Sequence, residues 1–333
     1  MNDLGRTVNE SERTVDDLER TVDGVGARHT EAMRSWIGIV AVLVALTACS
    51  SPSEPSPTPG AAGTGSYRDL PTTGDADYQL GGAYDPPPGV TIVVRDSTAA
   101  PAAGRYSICY VNGFQTQPAD ADRWLSEQPD AILRRADGKP VIDPQWPDEM
   151  LLSTTTPAAR RAIVDFLTPT IARCADRGFD AVEFDNLDSS WTRSDSALRE
   201  EGNLALASSL VDVAHVRGLA VGQKNTPQLG QRGRDAGFDF AIAEECVAYR
   251  ECDAYTDVYG PRVIDIEYTD IGHTDIGHTD IGHKDIGHMD TGHKDTGGSW
   301  AAVCARADRP TRTMLRDRDL VAAGQPGYVF DHC

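Results

Sequence analysis

Three times in the middle of the chain, a glycine closes a helical stretch and a short apolar run follows it. Gly178 precedes residues 179–185, Gly218 precedes 219–224, and Gly237 precedes 238–244. Glycine adopts the left-handed conformation beyond a helix C-terminus without steric cost. Strands that alternate with helices lie side by side in a parallel sheet. The helix before Gly178 is predicted to start at Thr156 as N-cap, with Pro157 in its first turn. It should bury Ile163, Phe166, Leu167, Ile171 and Cys174 on one face, and Pro169 should kink or split it. Before Gly218, Leu206, Leu210, Val213 and Ala214 recur at helical spacing. Further strands are predicted over residues 78–80, 90–94, 107–111, 131–133, 263–267 and 311–315. That supply suits a single (β/α)8 TIM barrel of the α/β class. An open doubly wound sheet is the alternative, but no Gly-rich phosphate loop follows any strand.

The strands end in polar groups. In Gly178-Phe179-Asp180-Ala181-Val182-Glu183-Phe184-Asp185-Asn186-Leu187-Asp188, Ala181, Glu183 and Asp185 share one face of the strand, Val182 and Phe184 the other. Carboxylates aimed into a packed interior are costly unless they have a partner or a task. A structural ion-pair network would account for them; so would active-site acids at the C-terminal strand ends of a barrel. Asn112, Lys224-Asn225, Glu244-Glu245 and Glu267 end other strands in the same way, and several polar ends converging is a stronger signal than one acid.

Residues 33–49 have a basic start, a short apolar core and a small-residue end, as in a secretory signal. Leu46-Thr47-Ala48-Cys49 has the form of a bacterial lipobox, with Cys49 as the lipidated residue. We expect translation to begin at Met33. Residues 1–32, with Arg-Thr-Val recurring every seven residues but no apolar heptad pair, are then a disordered, non-native extension. Residues 50–75 start as a Pro/Ser/Gly-rich tether. Residues 76–333 form the barrel domain, interrupted over 269–298 by a Thr-Asp-Ile-Gly-His pentad repeat. A period of five suits neither a helix nor a strand face, so the repeat is expected to be a mobile loop that binds nickel or zinc only adventitiously.

A net charge of −20 leaves no basic face for nucleic acid and is compatible with a cationic partner. Six cysteines follow Cys49, an even number that in an exported protein suggests up to three disulfides. Cys246 and Cys252 are close enough to close a small loop; the other pairings stay open. There is no Cys-x-x-Cys for zinc and no Gly-x-Ser-x-Gly elbow. Outside the repeat the mature chain has only His215, expected at the surface of a helix, and His332. No metal or cofactor is expected. What remains is a set of carboxylates on neighbouring strands, and two of them across a barrel mouth are the minimum for hydrolysing a glycosidic bond.

The motifs are specific. They include Asp77-Tyr78-Gln79-Leu80, Cys109-Tyr110-Val111, Trp146-Pro147-Asp148-Glu149 and residues 178–188. Lys224-Asn225, residues 238–246, Glu251-Cys252-Asp253 and Glu267-Tyr268 follow. In order and spacing the chain from about residue 77 to 333 resembles the endo-α-1,4-polygalactosaminidase family, glycoside hydrolase family 114. The resemblance implies a (β/α)8 barrel that cleaves within α-1,4-linked galactosamine-containing polysaccharide, with Asp185 as nucleophile and Glu244 as second acid, in a retaining course. Two positions depart from the family pattern: Ala243 stands where an asparagine is usual, and Leu152 where many relatives carry aspartate. By strand parity Glu245 lies with Ala241 and Ala243, while Glu244 follows Phe240 and Ile242. Small residues are expected at a crowded barrel centre, so Glu244 would need a bulge to turn inward, and Glu245 is kept in reserve. Substrate contacts are expected from Tyr110, Glu183, Asn186, Asp188, Lys224, Asn225, Glu267 and Tyr268. Glu183, Asp188 and Glu267 are suited to ammonium groups of a cationic amino-sugar polymer. The protein is expected to be a monomeric, extracellular lipoprotein, meeting the membrane only through its lipid anchor. The competing readings are a surface lipoprotein that binds glycan without catalysis and a purely structural envelope protein.

Overall fold

The computed structural model describes residues 66–192, 197–270 and 299–333. The expected extension, the signal with Cys49, much of the tether and most of the pentad repeat lie outside the described residues. Among the described residues nine strands form one sheet in chain order. They are β1 (Asp75–Gln79), β2 (Val90–Asp96), β3 (Tyr106–Asn112), β4 (Ala181–Asp185), β5 (Ala220–Lys224), β6 (Phe240–Glu244), β7 (Val263–Tyr268), β8 (Arg312–Arg316) and β9 (Phe330–His332). Each of the first seven pairs in parallel with the next, and β9 returns antiparallel along β8. The eight parallel strands curl into a TIM barrel whose seam between β8 and β1 is bridged mainly by a side chain. Arg316 donates to the Tyr78 carbonyl and to Asp77 Oδ1 (3.1 Å), and both side chains are fully buried. The Gly81 N–H adds a bond to the Leu320 carbonyl (3.2 Å).

The segment expected as a strand at 131–133 is not one. It leaves a 3-10 turn at Pro129–Ala131 and makes only an isolated bridge, Ile132 to Leu152, within the excursion between β3 and β4. The helix Pro157–Arg177 starts and stops as expected: Thr156 caps the Ala159 N–H (3.1 Å), and Gly178 has φ 90°. It runs unbroken through Pro169. Pro169 and Asp165, whose carbonyl loses its helical donor there, both lie on the exposed side of the helix.

Two apolar layers hold the barrel. Inside are residues such as Tyr78, Ile108, Ala181, Phe240, Ile242 and Ile266. Between the sheet and the helices Pro157–Arg177 and Glu200–Val216 lie Val111, Val182, Phe184, Val221, Ala241 and Ala243. The parity expectation for β6 is therefore overturned: Phe240 and Ile242 face the centre, and the alanines face the helices. The room comes from β5, because a Cβ on Gly222 would lie 2.6 Å from the Phe240 ring. Glu244 continues the inward row, and the β6–β7 register runs without a shift.

Three disulfides form, Cys109–Cys174, Cys246–Cys252 and Cys304–Cys333. The first ties β3 to the helix Pro157–Arg177. Among the described residues no helix is long and apolar enough to cross a membrane.

Candidate active site

The C-terminal ends of β3 to β7 converge on Lys224. Its ammonium lies 3.1 Å from Asp185 Oδ1, 3.4 Å from Glu244 Oε2 and 3.4 Å from the Tyr78 hydroxyl. The lysine side chain is 3% exposed, whereas those of Asp185 and Glu244 are 20% and 28% exposed. The acids thus line the mouth and the cation forms its floor. Tyr110 donates to Asp185 Oδ2 (2.6 Å), and the Asn186 N–H donates to Oδ1 (2.7 Å). Glu244 accepts from Tyr268 (2.5 Å) on one oxygen and from the Asn225 amide (3.0 Å) on the other, while its own N–H returns to Asn225 Oδ1 (2.9 Å). Left-handed residues follow three of the strands directly: Asn186 (φ 63°) after β4, Asn225 (φ 47°) after β5 and Glu245 (φ 60°) after β6. Non-glycine residues enter that region at a cost and cluster at functional sites. Here the sharp turns leave each strand's last side chain at the mouth.

A model of glycoside-hydrolase family GH114 matches residues 56–333. The chain belongs to glycoside hydrolase family 114. Among solved structures, Aspergillus fumigatus Ega3 in complex with galactosamine is similar at a TM-score of 0.58 and 19% identity, over 80% of this chain and 98% of that one. The glycoside hydrolase domain of PelA from Pseudomonas aeruginosa aligns at a TM-score of 0.47 and 14% identity, over 75% and 97%. The Ega3 likeness supports the barrel fold. No curated protein matches the chain.

Electrostatics separate the acids of this GH114 glycoside hydrolase. Burial raises the Asp185 carboxyl, but the Lys224 charge and the bonds from Tyr110 and Asn186 outweigh it and hold the pKa below the ordinary value. Burial opposes the Lys224 charge, yet Asp185, Glu244 and Glu183 together hold its pKa well above the usual lysine value. Glu183 is two residues before Asp185 on the same inner face but lies fully buried, accepting from Tyr78 (2.6 Å). Burial pushes it up to about 8, against the pull of Lys224 and Tyr78.

The structure gathers Asp185, Glu244, Lys224, Tyr110, Asn186, Asn225 and Tyr268 at one mouth. It does not bring every expected residue there. Glu245 turns away to Arg318 (3.1 Å) and is buried. Glu183 lies beneath the mouth. Glu267 is on the outer face of β7, fully buried, holding the Val247 N–H (2.9 Å). Strand parity decides this: Ile266 and Tyr268 face inward, so Glu267 cannot. Asp188 is half-buried in the turn that opens the short helix Ser189–Thr192. His215 is not a free surface residue, since it stacks on Tyr67 and pairs with Asp239 (2.8 Å). Cys246, Cys252 and Asp265 cluster as metal ligands would, but the sulfurs are bonded to each other and offer no thiolate.

Sequence reasoning missed Tyr78 as a site residue, because a tyrosine within a short strand reads as core. Asp265, an acid two residues before Glu267 on an otherwise apolar strand, carried a visible signal. Arg318, in a polar tail without periodicity, carried none.

Proposed function

We propose that the enzyme cleaves within α-1,4-linked galactosamine-containing polysaccharide by double displacement at Asp185 and Glu244. The observation that carries this is the shared ammonium. The nearest oxygens of the two carboxylates lie 3.1 and 3.4 Å from Lys224 Nζ and so no more than about 6.5 Å apart. Retaining glycosidases hold their carboxyls about 5–5.5 Å apart, and inverting ones need about 6.5 Å or more to admit water. Asp185, kept ionised, attacks the anomeric carbon and forms a glycosyl-enzyme. Glu244, which must take up a proton as substrate binds, gives it to the leaving glycosidic oxygen, then takes one from the water that attacks the same carbon. The anomeric configuration is retained. Tyr110 and Lys224 hold the nucleophile in place, while Tyr268 and Asn225 hold the acid/base.

Family membership and the galactosamine bound by Ega3 support an amino-sugar substrate. The net charge of −20 suits a cationic polymer. Three disulfides favour an exported protein. We place it outside the cell, anchored by lipid at Cys49 and acting as a monomer.

The test is release of reducing ends from purified galactosamine-rich polysaccharide, comparing the protein from Ser50 onward with its Asp185→Asn variant. Activity lost in the variant with binding retained is the expected result. Binding without activity in both proteins would establish the non-catalytic glycan binder instead.

A further inference from the structure

Strand β7 grips the end of β6 from both of its faces. On the inner face Tyr268 holds the Glu244 carboxyl (2.5 Å), and the Ile266 carbonyl accepts the Glu245 N–H (2.8 Å). On the outer face Asp265 and Glu267, two residues apart and both fully buried, hold the turn that follows Glu244. Asp265 Oδ1 accepts from the Cys246 N–H (3.2 Å), and Glu267 Oε1 from those of Val247 (2.9 Å) and Ala248 (3.4 Å). The other two oxygens, Asp265 Oδ2 and Glu267 Oε2, are buried without a hydrogen-bond partner. Buried acceptors are rarely left so, and adjacent buried carboxylates cannot both stay ionised cheaply. One proton between the two free oxygens makes a single O–H···O bond of both and removes one charge.

We propose that Asp265 and Glu267 share one proton and are positioning residues that hold Glu244 in place through the turn 245–248. The proposal rests on Glu244 as the acid/base of the reading above. Burial pushes Asp265 up to about 7 and Glu267 up to about 9. The groups facing the pair are Thr313 of β8, Tyr255 of the helix Cys252–Tyr259, Glu245 and the Cys246–Cys252 disulfide. Glu245 raises both acids; Thr313 and the Cys246 N–H lower Asp265, and the Val247 and Ala248 N–H groups lower Glu267. The Glu245 charge is itself paired with Arg318 (3.1 Å). Loss of the shared proton leaves two adjacent negative charges, which part and loosen the turn.

The folded pKa values are raised, so the stabilisation is fully present below the ordinary carboxyl values of about 4 and is lost as pH rises from there through about 9. Glu267→Gln replaces the shared proton with a permanent amide hydrogen and keeps an oxygen for the turn. We expect kcat/KM at neutral pH within about threefold of the parent. The fall of kcat on the alkaline side should move to higher pH, KM should be unchanged, and the fall of Tm from about pH 6 to about pH 10 should be flatter. An infrared difference spectrum, parent minus variant at neutral pH, should show one protonated carboxyl. Glu267→Ala leaves the Val247 and Ala248 N–H groups without their acceptor and should lose about tenfold or more in kcat. Where Glu267→Gln does not fold, Asp265→Asn places the permanent donor on the other partner, with the same expectations. An unchanged Tm slope and no carboxyl band would overturn the shared proton. A carboxyl band with an unmoved alkaline limb of kcat would overturn the positioning role. The infrared and Tm measurements need no substrate, so they stand even where the polysaccharide is not cleaved.

Discussion

Lys224→Met tests the centre of the site with one substitution. The methionine keeps the unbranched length of the buried stem and removes the ammonium. At an effective dielectric of about 20, each carboxylate contact at 3.1 and 3.4 Å has a gross attraction of about 5 kcal/mol. Burying the ammonium consumes part of this, and breaking a buried pair typically costs about 3–5 kcal/mol. If about 3 kcal/mol of that appears in the transition state, kcat/KM falls more than about a hundredfold. The pH profile should change in a defined sense. Lys224 is the main force holding the Asp185 pKa down against burial, so the acid limb of kcat/KM should move to higher pH. Stability should respond with the matching sign. In the parent the Asp185 contribution is present at neutral pH and is lost as pH falls through its depressed value; in the variant it should be smaller throughout. The assay is reducing-end release across pH, with circular dichroism to establish that the variant is folded. A folded variant with kcat/KM within about threefold of the parent and an unmoved acid limb would refute the reasoning.

Two further outcomes can be checked directly. Tyr268→Phe removes the hydroxyl from Glu244 but keeps the ring on which Arg318 stacks at 4.0 Å; a hydrogen bond to a charged group is worth about 1.5–3 kcal/mol, so kcat should fall roughly 10- to 100-fold with little change in KM. Replacing Cys109 and Cys174 together by alanine opens a loop of 65 residues, for which chain entropy gives about 4 kcal/mol and a Tm lowered by about 10 °C, read from thermal melts with the other two disulfides intact.

What was legible in the sequence was what neighbouring residues decide. The Thr156 cap, the Gly178 stop and the Cys246–Cys252 loop are all closed within a few residues. The convergence of Asp185, Lys224 and Glu244 was also legible, because each ends its own strand. The facing of β6 was not, because Phe240 fits the centre only through Gly222 on the next strand. Nor was the depth of Glu183 and Glu267. An acid on a strand looks the same whether it points to the mouth, lies a layer below it or points under a helix. Parity alone would have placed Glu267, had Tyr268 been taken as the inward residue.

The barrel seam bears on how the chain is made. Asp77 finds its partner Arg316 only 239 residues further along, and Cys304 pairs with Cys333, beyond the last parallel strand. A chain emerging N-terminus first can pair β1 with β2 early, but it cannot complete the cylinder until β8 is available. Such long-range closure makes folding slow and keeps unpaired strand edges exposed meanwhile. A chain cut short before Arg316 would have most of its strands and both candidate catalytic acids, yet it would lack the arginine that bridges the seam between β8 and β1.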